Sequence, residues 1–267
     1  MDFSEKRELG RTGLLVGPLG MSAAYDPPAG ALEEAFERGC NYFYWGAVRR
    51  GGMKTAIKNL CGRGRRDEMV IAIQSFSRWP WPTEASFHRA LKALGIERAD
   101  VLLFGWFNSE PGKRMLDLGR KLKEKGLVRS LGITGHNRKL FPELAKKRDI
   151  DVFHVRYNAV HPGAEQDVFP LLPEGPDRPG VVAFTALCWG HLLNPKKTRP
   201  LAPATAPDCY RFCMSQPGVD VCMTGPANAA QVAESLRALD LGPLSGEEMA
   251  RMRELGKHLY GKVGRIW

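Results

Sequence analysis

Residues 41–52 read Asn-Tyr-Phe-Tyr-Trp-Gly-Ala-Val-Arg-Arg-Gly-Gly (NYFYWGAVRRGG). The first five have the length and apolar, aromatic character of a buried strand, and the paired arginines and glycines that follow belong to a loop. Seven other runs have the same form: VGPLGM (16–21), MVIAIQ (69–74), DVLLFG (100–105), VRSLGI (128–133), DVFHVR (151–156), GVVAF (180–184) and VDVCM (219–223). Helical patterns alternate with them near 29–38, 52–61, 83–94, 113–125, 138–147, 163–172, 205–215 and 228–239. Eight strand–helix units in 267 residues predict one α/β domain over 1–267, a (β/α)₈ TIM barrel. A doubly wound sheet more often carries a glycine-rich turn after its first strand, and GMSAAYDPPAG is not G-x-G-x-x-G.

Two segments stand outside the eight units. KRELGRTGLLVG alternates around a Gly-Arg-Thr-Gly turn and reads as a hairpin closing the barrel's N-terminal end. LSGEEMARMRELGKHL, with a Ser N-cap and Glu three residues on, starts an extra C-terminal helix. The segment 190–204 is long, basic and proline-rich, the kind of loop that on a barrel's catalytic side is functional or mobile.

Composition narrows the function classes. With 43% hydrophobic and 25% charged residues, no secretory leader and no apolar run near the ~18 residues of a membrane span, a cytoplasmic protein without membrane association is expected. The formal charge of +10 is scattered, without a nucleic-acid-binding module, so no nucleic-acid partner is expected. Six cysteines lie mostly in apolar runs and read as reduced and buried; Cys209 and Cys213 share a helical face but lack a second pair, and no metal is expected.

ELGRTGLLVGPLGM resembles the N-terminal hairpin and first strand of the aldo/keto reductases. The likeness continues in order through GCNYFYW, RRDEMVIAIQ, DVLLFGW, LKEKGLVRSLGIT, IDVFHVRYNAVHPGAEQDVFP, VVAFTALCWGHLL and TGPANAAQVAESL. The resemblance implies a carbonyl-reducing oxidoreductase that uses NADP or NAD. In that family an Asp, a Tyr, a Lys and a His do the work: the Tyr protonates the carbonyl oxygen, and the Lys, held by the Asp, lowers its pKa. The matching frames place Tyr44, Arg49, Gln74 and Gly105 at those four positions. The resemblance therefore also implies a divergent active site.

Candidate catalytic residues are Tyr44, Arg49, Gln74 and His136, the last a polar residue beyond the fifth strand. Tyr44 is a candidate acid if a neighbouring arginine lowers its pKa, whereas Arg49 suits a carboxylate ligand better than proton donation. Trp45, Trp106, Arg156 and Trp189 are candidate substrate contacts, the arginines pointing to an anionic small molecule. The alternatives are that Tyr44 and Trp45 only cap the core with the arginines solvated, and that Arg156 pairs with Glu165 or a nearby aspartate.

For the dinucleotide, the resemblance implies Thr134, His154 and Phe184 at the nicotinamide end and Thr185, Leu187 and Gly190 at the pyrophosphate. Gly225, Asn228, Gln231, Glu234 and Ser235 fall at the adenine end. Three functions stay open: a non-standard oxidoreductase, a non-redox lyase, isomerase or cyclase, and an inactive ligand-sensing or interaction protein. The substrate and the oligomeric state are not readable.

Overall fold

The structure, a computed structural model, describes residues 2–46 and 51–263. A two-stranded antiparallel hairpin, β1 (Arg7–Glu8) and β2 (Leu15–Val16), precedes the barrel. Eight parallel strands then close on themselves: β3 (Leu19–Ser22), β4 (Tyr42–Trp45), β5 (Val70–Ser75), β6 (Ala99–Phe104), β7 (Val128–Gly135), β8 (Val152–Arg156), β9 (Gly180–Phe184) and β10 (Val221–Thr224). The described helices are α1 (Ala29–Glu37), α2 (Gly51–Gly62), α3 (Pro80–Leu94), α4 (Lys113–Glu124), α5 (Leu140–Lys147), α6 (Ala164–Asp167), α7 (Pro195–Thr198), α8 (Ala206–Met214), α9 (Ala229–Leu241) and α10 (Gly246–Tyr260). The (β/α)₈ barrel, the hairpin and the extra helix are thus all present.

Strand alternation sorts the core into two layers. Tyr42, Val70, Ala72, Val101, Val152, Val182 and Val221 fill the barrel, and Leu9, Leu14 and Val16 of the hairpin region plug its lower end. Residues of the opposite parity, among them Phe43, Ile71, Leu102 and Phe153, lie under the helices. Each such side chain contributes ~1.5–3 kcal/mol on full burial. The hairpin turns tightly because Gly10 has φ +49°, and a Cβ there would fall 2.2 Å from the Gly180 nitrogen. Asn41 ties the plug to β4: its amide donates to Leu15 and Glu68 carbonyls, and its carbonyl accepts from Gly17 N–H.

One predicted helix is shorter than expected. The pattern at 163–172 gives only one α-turn, α6, followed by a 3₁₀ turn over Phe169–Leu171. Pro170 has no N–H to continue the ladder and disfavours helical backbone at Phe169 before it. At the C-terminal helix, Ser245 accepts from Glu248 N–H while the Glu248 carboxylate accepts from Ser245 N–H, the box expected from the sequence.

Candidate active site

Where β4 and β5 end, Tyr44 donates its phenolic hydrogen to Gln74 Oε1 at 2.5 Å. Two glycines give this pair its space. A Cβ on Gly105 would lie 2.5 Å from Gln74 Nε2 and 2.6 Å from the Ser75 carbonyl, and one on Gly46 would lie 2.3 Å from the Tyr44 hydroxyl. One layer deeper, Tyr42 Oη and His154 Nε2 are 2.8 Å apart, and the His154 ring lies 5.8 Å from that of Tyr44.

This floor is electrically neutral. Burial pushes the His154 imidazole down to about 3, and burial raises the phenols of both Tyr42 and Tyr44. Among the described residues burial thus moves the Tyr44 phenol away from the lowered pKa of an acid, while Arg49 and Arg50, the cations expected to lower it, lie outside the described residues. Desolvation is the first cause of its shift, and no cation acts against it among the described residues.

Above the floor opens a cavity of about 330 Å³. Among the described residues, no lysine, arginine or carboxylate lines it. Its walls are Tyr25, Trp106, Phe184, Leu187, Trp189 and Met223, with Ser22, Thr134 and Thr224 adding hydroxyls. Trp106 has φ +57°, and its carbonyl accepts from Arg78 at 2.7 Å. The loop after β9 is more strained still: Thr185, Cys188, Trp189 and Gly190 have φ of +63°, +48°, +53° and +79°. For a β-branched residue such as Thr185 this costs ~1–3 kcal/mol and needs support from outside. Asn158, fully buried, supplies it by donating from Nδ2 to the Thr185 carbonyl at 2.9 Å.

A second lobe of about 310 Å³ adjoins the first, sharing Tyr25, Leu187, Tyr210 and Gly225. It runs to the start of α9 and is lined there by Gln231, Glu234 and Ser235. The two lobes make a bent groove from the barrel mouth to the helix layer, in the size range of small-molecule sites.

The groove gathers most of the residues singled out from the sequence. Tyr44, Gln74, Trp106, Thr134, His154, Phe184, Thr185, Leu187, Trp189, Gly190 and Gly225 line the first lobe, and Gly225, Gln231, Glu234 and Ser235 the second. Four lie elsewhere. Trp45 has the opposite parity to Tyr44, so it points outward beneath α3, beside Ile73, Phe76 and Pro82. His136 sits beyond the lining, its ring edge-on to Phe184 at 6.3 Å, and burial and then Arg156 lower its pKa. Asn228 caps α9, its side chain accepting from Gln231 N–H. Arg156 lies outside the lining as well, and its expected partner Glu165 is taken by Arg253 at 3.0 Å and Tyr157 at 2.6 Å. Arg49 lies outside the described residues.

Sequence reading missed Ser22, Met223 and Thr224, all at strand ends where the barrel rule would have pointed, and Tyr25 and Tyr210, which no motif marks. The described residues bring no three His, Cys, Asp or Glu side chains together as a metal site. No helix among them is long and apolar enough to cross a membrane.

A parallel eight-stranded barrel with its groove at the strands' C-terminal ends is an enzyme-type architecture. The chain belongs to the aldo/keto reductase family, whose model matches residues 22–207. It is 22% identical to an uncharacterized oxidoreductase, YqkF, of Bacillus subtilis (strain 168), over 97% of this chain and 99% of that one. That alignment runs over 306 positions, more than the chain's own length, so the relative carries additional segments. Among solved structures it resembles the aldo-keto reductase AKR11C1 from Bacillus halodurans. The apo form gives a TM-score of 0.76 at 21% identity and the holo form 0.77 at 20%, each covering 94% of this chain and 96% of the other.

Proposed function

We propose that this chain is a nicotinamide-dinucleotide-binding oxidoreductase of the aldo/keto reductase family whose acid constellation has been replaced by a neutral hydrogen-bonded pair. The continuous bent groove carries this reading. It passes from the Tyr44–Gln74 floor, past the strained Thr185–Gly190 loop, to the start of α9. In it, Thr134, His154 and Phe184 would face the nicotinamide, the loop backbone of Thr185–Gly190 the pyrophosphate, and Gln231, Glu234 and Ser235 the adenosine. Backbone N–H groups of a turn and the start of a thirteen-residue helix suit phosphate oxygens. The bound dinucleotide would supply a hydride.

The chain's own residues bind and orient but do not readily give up a proton. Tyr44 commits its hydrogen to Gln74, and its phenol is harder to ionise than usual. Gln74 has no acidic hydrogen in this range, and His154 is neutral above about 3. Ordinary aldehydes should therefore turn over slowly, because a positioned acid typically contributes ~10²–10⁴-fold. The lining, uncharged among the described residues, suits an apolar, uncharged carbonyl group, and an anion would have to be met by Arg49, which lies outside them. The same neutral pair favours one second reading, a dinucleotide-sensing protein without turnover.

Fluorescence titration with NADH and NADPH tests the proposal. Saturable binding of either, weakened by Gln231→Ala, supports it. Absence of binding to both overturns it and leaves the barrel to non-redox chemistry.

A further inference from the structure

The face that carries the groove has two properties that the proposed chemistry does not use. The first is a set of exposed aromatic side chains. Trp79 and Trp81, beside Pro80 at the start of α3, are 71% and 79% exposed, the highest values of any large apolar residue among those described. Phe76, on the same connection, is 50% exposed and meets the 60% exposed Trp106 of the cavity lining edge-on at 5.3 Å. Tyr25 and Trp189 stand exposed on the cavity's lining as well. Several exposed aromatics on one face mark an interaction surface more than scattered single residues do.

The second property is charge. The connections leaving the strands' C-terminal ends carry Arg78, Lys139, Lys196, Lys197 and Arg199, none with a carboxylate partner among the described residues. The carboxylates of these connections are already engaged: Asp26 accepts from Gly52 N–H, and Glu110 pairs with Lys147. The barrel's opposite end differs. There Arg65 pairs with Glu37 and Glu68, Arg98 with Asp67, Arg148 with Asp177 and Arg178 with Asp220. The mouth thus presents five cations without a carboxylate partner among the described residues, part of a +10 charge that is otherwise scattered along the chain.

We propose that this face docks on an anionic lipid bilayer, with Trp79 and Trp81 entering its interfacial layer and the rim cations meeting headgroup phosphates. Indoles with an apolar body and a polar N–H settle at that depth, and cations near an anionic surface add attraction that salt screens. Charge complementarity selects this occupant. A twofold contact with a second copy through the same face would set unpaired cations against each other. Single-stranded nucleic acid would favour aromatics spaced along a basic track, whereas the two most exposed, Trp79 and Trp81, lie on the connection after β5 and Lys196, Lys197 and Arg199 on the connection after β9. The docked orientation turns an apolar cavity toward the membrane, so a lipid-dissolved ligand would reach it directly. The proposal stands independently of the dinucleotide reading.

Flotation of the full chain with vesicles tests it, comparing phosphatidylcholine alone with equal parts phosphatidylcholine and phosphatidylserine. Binding to the anionic vesicles is expected to exceed that to the neutral ones by about tenfold or more and to fall in high salt. Both Trp79→Ser with Trp81→Ser and Lys196→Glu with Lys197→Glu should reduce it by about tenfold, with circular dichroism unchanged because these side chains are exposed. No flotation with anionic vesicles overturns the proposal, as does flotation that the double tryptophan variant retains. A dimer in ultracentrifugation that the tryptophan variant abolishes would assign the face to a second copy instead. Tryptophan-dependent binding of an oligonucleotide without binding of vesicles would assign it to nucleic acid.

Discussion

The Tyr44–Gln74 hydrogen bond is the centre of the site, and a double-mutant cycle measures whether it is a true pair. Tyr44→Phe keeps the ring between Gly46 and His154 but leaves Gln74 Oε1, in a side chain only 9% exposed, without its 2.5 Å donor. Gln74→Leu leaves the Tyr44 hydroxyl without its acceptor. A buried polar group deprived of its partner costs ~1–3 kcal/mol, whereas replacing both members by apolar groups of similar shape is close to neutral. Tyr44 keeps some access to the cavity, so each single variant should lose about 1–2 kcal/mol. The double variant should lie within about 1 kcal/mol of the parent, giving a coupling of ~1–3 kcal/mol. In a chain of this size each kcal/mol moves the melting temperature by ~2–4 °C, well within calorimetric resolution. Additive losses, with the double variant as unstable as the sum of the singles, would refute the idea that the two side chains form one unit.

Three further outcomes are expected. Gly105→Ala should destabilise by ~1–3 kcal/mol, because its Cβ meets both a side chain and the Ser75 carbonyl, and adding Gln74→Ala should restore only part of that; an unchanged melting temperature would contradict the geometry. His154, with its pKa held at about 3 against an ordinary value near 6.5, contributes stability present above 6.5 and lost as the pH falls toward 3. The loss should be about 1.4 kcal/mol per pH unit, read as the difference between parent and His154→Gln in urea unfolding, since His161, also lowered, to about 4, is common to both. Reduction of 4-nitrobenzaldehyde with NADPH should be negligible, and robust turnover by the pure protein would show that another acid serves the site.

The fold was legible from residues alone. Each of the eight apolar runs became a barrel strand with ends shifted by a few residues at most, because buried parallel strands need continuous apolar sequence. The helix at 163–172 was overestimated where periodicity was given more weight than Pro170. Site residues at strand ends were legible for the same reason as the strands. Trp45 was misplaced by reading it together with its neighbour Tyr44, although parity separates them. Tyr25 and Tyr210 reach the groove from a loop and from helix α8, positions that depend on tertiary packing and leave no local pattern.

What the sequence hid most fully is the cost of the loop after β9. Nothing in TALCWG announces that Thr185, Cys188 and Trp189 adopt left-handed backbone, since none of these residue types favours it. Such strain survives only where the surroundings fix it, and Asn158 does so from a fully buried position on the neighbouring connection. The floor of the cavity shows the opposite treatment. There Gly46 and Gly105 remove side chains so that Tyr44 and Gln74 fit without strain. Glycine at 188 or 189 would adopt the same backbone without the cost that Cys188 and Trp189 bear. The strain of this loop, held by Asn158 along the groove, is therefore the physical reason to test for a ligand there even if turnover at the floor is weak.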